Sequence, residues 1–151
     1  MTSSTVVETV LFSAQDGRLR FRTRRAELPH GAHPDALARS LTGLADGLLH
    51  STSWRFEGGR VILTYAALPD PDPARTLPLD PSRPLPYAAD PLAPASAVID
   101  VADVAAHACR HLAYLRQTDP VVALAALDDP QLWDLVADST PAMGGLLVQP
   151  A

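Results

Sequence analysis

Hydrophobic and polar positions change period several times along the chain, and each change marks an element. Residues 6–12 (VVETVLF) are rich in β-branched side chains and read as a strand. Asp16-Gly17 follows, a pair suited to the left-handed backbone of a tight hairpin. Residues 18–25 (RLRFRTRR) alternate, with Arg18, Arg20, Arg22 and Arg24 on one face and Leu19, Phe21 and Thr23 on the other. The first unit is therefore predicted to be an antiparallel hairpin.

The period then becomes helical. After the turn-like residues 26–33, Pro34 suits a first helical position, and Leu37, Leu41, Leu44 and Leu48 recur as one apolar stripe. Gly43 and Gly47 inside that stripe are expected to weaken the helix by up to ~1 kcal/mol each relative to Ala. Residues 50–56 (HSTSWRF) read as extended. Strict alternation puts His50, Thr52, Trp54 and Phe56 on one face and Ser51, Ser53 and Arg55 on the other. Glu57-Gly58-Gly59 is a turn, and residues 60–68 (RVILTYAAL) complete a second hairpin.

Nine prolines between residues 69 and 94 exclude a central strand or a helix interior there. A Pro-rich surface loop is expected over 69–98, either a connection or a lid over a cleft. Asp100 with Asp103 marks a helix start, and Val101, Val104, Ala105, Ala108, Leu112 and Leu115 form its buried stripe. Asp119-Pro120 and Asp129-Pro130 each open a short helix, over 120–127 and 130–137. The last residues carry too little pattern to assign. The order predicts one α+β domain over 1–151, with a mixed or antiparallel sheet built from two hairpins and helices packed against it.

Composition narrows the chemistry. The 151 residues are 47% hydrophobic and 19% charged, with a formal charge of −5. A disordered polyampholyte, a basic nucleic-acid coat and a disulfide-built miniprotein are thereby excluded. All 12 basic residues are Arg, so chemistry through a lysine nucleophile or a Walker lysine is excluded. Only three glutamates occur, Glu8, Glu27 and Glu57. The single Cys109 forms no internal disulfide. No apolar run approaches the ~20 residues of a membrane span, and no signal peptide is visible. A cytoplasmic protein without membrane attachment is expected.

Several strings resemble the Nudix family. VVETVLFSAQDGRLRFRTRR is similar to its first hairpin, Leu28-Pro29-His30-Gly31 to the turn before its helix, and Ala38-Arg39-Ser40-Leu41 to the helix itself. Gly47-Leu48 and RVILTYAALPD fall where that family closes its motif and enters the next strand. The resemblance covers residues 6–116 and implies an α/β/α sandwich with a long C-terminal helix. It also implies a departure. The positions where Nudix hydrolases hold their metal-binding glutamates are here Ser40, Gly43 and Leu44, none of which suits Mg²⁺. Asp35 and Asp46 do not replace them. Nudix hydrolase activity is not expected, and neither a metal nor a cofactor is assigned.

Two clusters carry candidate chemistry. In His50-Ser51-Thr52-Ser53-Trp54-Arg55, His50 and Thr52 can donate to an anion, Arg55 can bind it bidentately and Trp54 can stack on a ring. The alternative is an edge strand whose Trp54 and Phe56 pack in the core. On the long helix, His107 and His111 lie four apart, with Arg110 beside them. The expected ligand-binding set is His50, Thr52, Trp54, Arg55, His107, Arg110 and His111. The leading expectation is a non-hydrolytic Nudix-like domain that binds a small anionic, nucleotide-like ligand or a protein partner. The alternative is a histidine-based phosphoesterase or metal hydrolase using His50, His107 and His111. The row Arg18, Arg20, Arg22 and Arg24 is expected to be a solvated face paired with carboxylates rather than a track for nucleic acid. Self-association into a homodimer is left open.

Overall fold

The computed structural model describes residues 4–44, 47–81, 100–137 and 145–146. Asp46, Tyr87, most of the Pro-rich loop and most of the C-terminal tail lie outside the described residues.

The sheet is organised around β1 (Thr5–Gln15), in which every residue from Val6 to Ser13 is buried. β1 pairs antiparallel with β2 (Arg18–Glu27) through the Asp16-Gly17 turn, and parallel with β4 (Arg60–Leu68). A central strand covered on both faces has no solvated side, so its sequence shows an apolar run instead of alternation. β4 pairs antiparallel with β3 (Leu48–Glu57). Two-residue strands, β5 (Leu77–Pro78) and β6 (Gly145–Leu146), complete a six-stranded mixed sheet of order β5-β2-β1-β4-β3-β6.

Register decides which side chains share a face. Val10, Phe12, Phe21, Ala66 and Leu68 point toward α2 (Val101–Thr118), α3 (Pro120–Ala126) and α4 (Pro130–Val136), where they meet Val104, Leu112, Trp133 and Val136. The alternate residues Val7 and Tyr65 meet Ala38 and Leu41 of α1 (Pro34–Thr42). Helices therefore cover both faces. Burial of a side chain such as Phe12 or Leu112 contributes roughly 1.5–3 kcal/mol. Among the described residues, no helix is long and apolar enough to cross a membrane.

Three expectations are corrected. First, α1 starts at Pro34 but stops at Thr42. Gly43 follows at φ 71° and Gly47 lies at φ 123°, so these glycines end the helix and turn the chain instead of weakening a longer one. Leu48 opens β3 and does not extend the helical stripe.

Second, the start of the Pro-rich segment is anchored. The Asp70 amide donates to the Phe12 carbonyl, and Arg22 holds the Asp70 carboxylate with two hydrogen bonds of 2.7 and 2.8 Å. Arg20 binds the Thr76 hydroxyl and carbonyl, and β5 then pairs with β2 at the sheet edge, a place in a sheet that accepts a proline. Third, this engages the arginine row internally. Arg20 and Arg22 clamp the segment after β4, and Arg24 donates to the Leu41 carbonyl. Of the three, only Arg22 is paired with a carboxylate.

The C-terminal helices follow the sequence closely. α2 carries a capping box between Asp100 and Asp103, and Asp119 and Asp129 cap α3 and α4. The short helices end one residue earlier than the predicted spans.

Candidate functional site

A β-bulge at Thr52 reorganises β3. Ser51 lies opposite Tyr65, yet Ser53 lies opposite Thr64, so Thr52 is the extra residue and the alternation resets there. His50 (opposite Ala66), Ser53 and Arg55 (opposite Ile62) consequently share the face toward α2. Ser51, Trp54 and Phe56 share the opposite face. Strict alternation misplaced every residue after Thr52 because one inserted residue inverts the sidedness of all that follow. Trp54 (37% exposed) and Phe56 (69%) are not core residues. Their rings meet edge to face, with centroids 5.5 Å apart.

A cleft of about 400 Å³ opens beside the bulge. β3 contributes His50, Ser51, Thr52, Ser53 and Trp54, and β4 contributes Leu63, Thr64 and Tyr65. His111 and Tyr114 close it from α2. The His50 and His111 rings stand edge to face with centroids 5.6 Å apart, and His111 stacks on Tyr114 at 6.3 Å. His50 Nδ1 lies 2.7 Å from the Ser51 carbonyl, so a proton on Nδ1 donates to that oxygen and leaves Nε2 as an acceptor. The Ser53 hydroxyl is buried without a hydrogen-bond partner.

A second depression of about 500 Å³ adjoins the first and shares His50, Ser51 and Tyr65 with it. Asp35 and Arg39 line it from α1. The Tyr65 hydroxyl donates to Asp35, and Arg39 donates to the Gly47 carbonyl. Burial, reinforced by the hydrogen bond and charge of Asp35, pushes the Tyr65 pKa upward.

The structure thus brings together His50, Thr52, Trp54 and His111 of the expected set and separates the other three. Arg55 is 3% exposed and donates to Glu8 and to the Thr64 hydroxyl. Glu8 also accepts from Arg25 Nε at 2.6 Å and from Thr64 Oγ1 at 3.0 Å. Burial pushes the Glu8 carboxyl up, but the hydrogen bonds and charges of Arg55 and Arg25 outweigh it and hold the pKa below the ordinary value. Arg55 is therefore a structural counter-ion and not an anion ligand in the cleft.

His107 is 8% exposed, does not line the cleft, and finds no partner for either ring nitrogen. Burial, with the nearby His111 and Arg110, lowers its pKa to about 4. Arg110 is half-buried and does not line the cleft. Cys109 is fully buried, and burial raises its thiol pKa well above the ordinary value, so it is a core residue. Among the described residues, no three His, Cys, Asp or Glu side chains are grouped to hold a metal ion.

Sequence reasoning missed Tyr65 and Tyr114. Tyr114 is three residues after His111, a helical spacing that signals a shared face. Tyr65 carried no such signal. It lines the cleft from β4, opposite Ser51 at the residue before the bulge. No family model matches the chain, and no curated protein matches it.

Proposed function

We propose that the chain is a Nudix-like domain that binds a small ring-bearing ligand in the cleft beside β3 and does not hydrolyse it. The observation that carries this reading is the meeting of His50 and His111, 61 residues apart in sequence, inside a cleft walled by Trp54 and Tyr114. Such aromatic walls with a few convergent polar groups suit a planar ligand.

The Nudix-like part rests on the strings quoted above and on the order hairpin, helix, hairpin, long helix. The non-hydrolytic part rests on the residues at the motif positions. Ser40 is exposed and donates to the Leu37 carbonyl, and Gly43 is the helix cap. The anionic part of the expectation loses its guanidinium, because Arg55 is held by Glu8. Arg39 lines the adjoining depression.

Amide and indole chemical shifts test the reading during titration with indole, adenosine and AMP. At least one probe should move signals of Ser51–Trp54 and His111–Tyr114, and none should do so in a His50→Ala/His111→Ala variant. Shifts confined to other surfaces, or no shifts at all, would overturn it.

A further inference from the structure

We propose that the cleft selects an uncharged aromatic molecule bearing a hydroxyl or ring N–H, and that Ser53 is the residue that recognises this polar group. The proposal rests on the binding reading above and assigns the chemistry of the ligand.

Ser53 lines the cleft, is 7% exposed, and its Oγ has no hydrogen-bond partner. A buried hydroxyl usually finds one, since a protein hydroxyl can donate and accept at once. Its neighbour Thr52 satisfies itself on the Thr64 carbonyl at 3.4 Å, and Thr64 Oγ1 is engaged by Glu8 and Arg55. Ser53 Oγ is thus a buried hydroxyl on this wall left with unused capacity. The bulge puts it there by turning Ser53 onto the face it shares with His50.

Much of the remaining wall is built from rings and carbon, beside the short hydroxyl side chains of Ser51, Thr52 and Thr64. Trp54, Tyr114, His111, Leu63 and Tyr65 supply its apolar and aromatic surface, and no Arg, Asp or Glu side chain lines it among the described residues. An anion entering would lose hydration without a fixed guanidinium in return. A neutral ring loses little and buries apolar surface. One polar substituent meeting Ser53 completes the match, which describes a phenol or indole better than a phosphorylated compound.

Three matched probes test this at pH 8, above the ordinary imidazole range: p-cresol, toluene and p-tolyl phosphate. They share one ring and differ in the polar group. Chemical-shift titration should rank p-cresol at least about tenfold tighter than p-tolyl phosphate, and Ser53→Ala should weaken p-cresol about fivefold while leaving toluene unchanged. Ser53→Ala removes an unpartnered atom, so its spectrum away from the cleft should match that of the unmodified chain.

Tighter binding of p-tolyl phosphate, or equal p-cresol affinity in Ser53→Ala, would overturn the assignment. If AMP alone moves the cleft signals, the binding reading stands and this one falls. If no probe of either series moves them, both fall.

Discussion

Arg55 Nη1 lies 3.0 Å from Glu8 Oε1, with both side chains buried and the two residues 47 positions apart in the chain. The pair ties the last third of β3 to the middle of β1 across β4. Arg25 and Thr64 fill the remaining acceptor positions of the carboxylate, so the buried charge is fully engaged.

Breaking the pair from one side leaves Glu8 buried without its main counter-ion. Arg55→Ala should therefore destabilise the fold by about 3–5 kcal/mol, measured by urea unfolding. Combining it with Glu8→Gln should recover part of that loss. Full stability in Arg55→Ala, together with loss of a ligand, would return Arg55 to a binding role.

Glu8 also predicts acid sensitivity. Its folded pKa is held below the ordinary carboxylate value, so the stability it contributes is fully present above about pH 4.5 and is lost as pH falls through the folded pKa. Glu8→Gln should be less stable than the unmodified chain at neutral pH, and the gap should narrow below pH 4.5. A gap independent of pH would show that Glu8 does not titrate with unfolding.

His107 acts in a different window. Its folded pKa is about 4 against an ordinary 6.5, so the unfolded chain takes up a proton that the folded chain refuses between those values. Stability therefore falls as pH drops from 6.5 to 4, by roughly 3 kcal/mol at most from this group. His107→Leu should flatten that part of the profile and raise stability at pH 5. An unchanged profile would show that the imidazole charges freely in the fold.

The glycines after α1 should resist substitution unequally. Gly43→Ala meets only Pro71 Cγ at 3.8 Å, so its cost is backbone strain of about 1 kcal/mol. Gly47→Ala also brings a Cβ to 3.2 Å from Leu44 Cδ1 and 3.3 Å from the Leu68 carbonyl, and should cost more. Equal melting temperatures for the two variants would contradict this.

Asp70 gives a local prediction. Asp70→Asn removes the charge from the doubly bonded Arg22 contact and should cost about 1–3 kcal/mol. Amide exchange should speed up at Leu79, whose N–H bonds the Leu19 carbonyl, before it does in β1. Uniform acceleration across the sheet would show that the clamp is not local.

Much of the architecture was legible because it is encoded locally. Asp16-Gly17 and Glu57-Gly58-Gly59 announced both hairpins, and Asp100, Asp119 and Asp129 marked the helix starts. The length of α1 was misread because an apolar stripe at helical spacing runs through Leu44 and Leu48, while the conformation of Gly43 depends on where the chain must turn. The candidate cleft was legible in part. His50, Thr52, Trp54 and His111 were identified from residue type and do meet at one cleft. Arg55 was misassigned because a guanidinium suits a ligand and a buried glutamate equally well. Its partner, 47 residues away, leaves no local mark.

By itself, the sequence determined the main hairpins and helices and their order, since turns, caps and periodicities act over a few residues. Only the tertiary structure decided the parallel pairing of β1 with β4, the bulge at Thr52 and the capture of Arg55 by Glu8. Those outcomes depend on which distant surfaces fit together when β1 is buried on both faces, and a one-residue slip in a strand, invisible in composition, turns every later side chain toward the other side of the sheet.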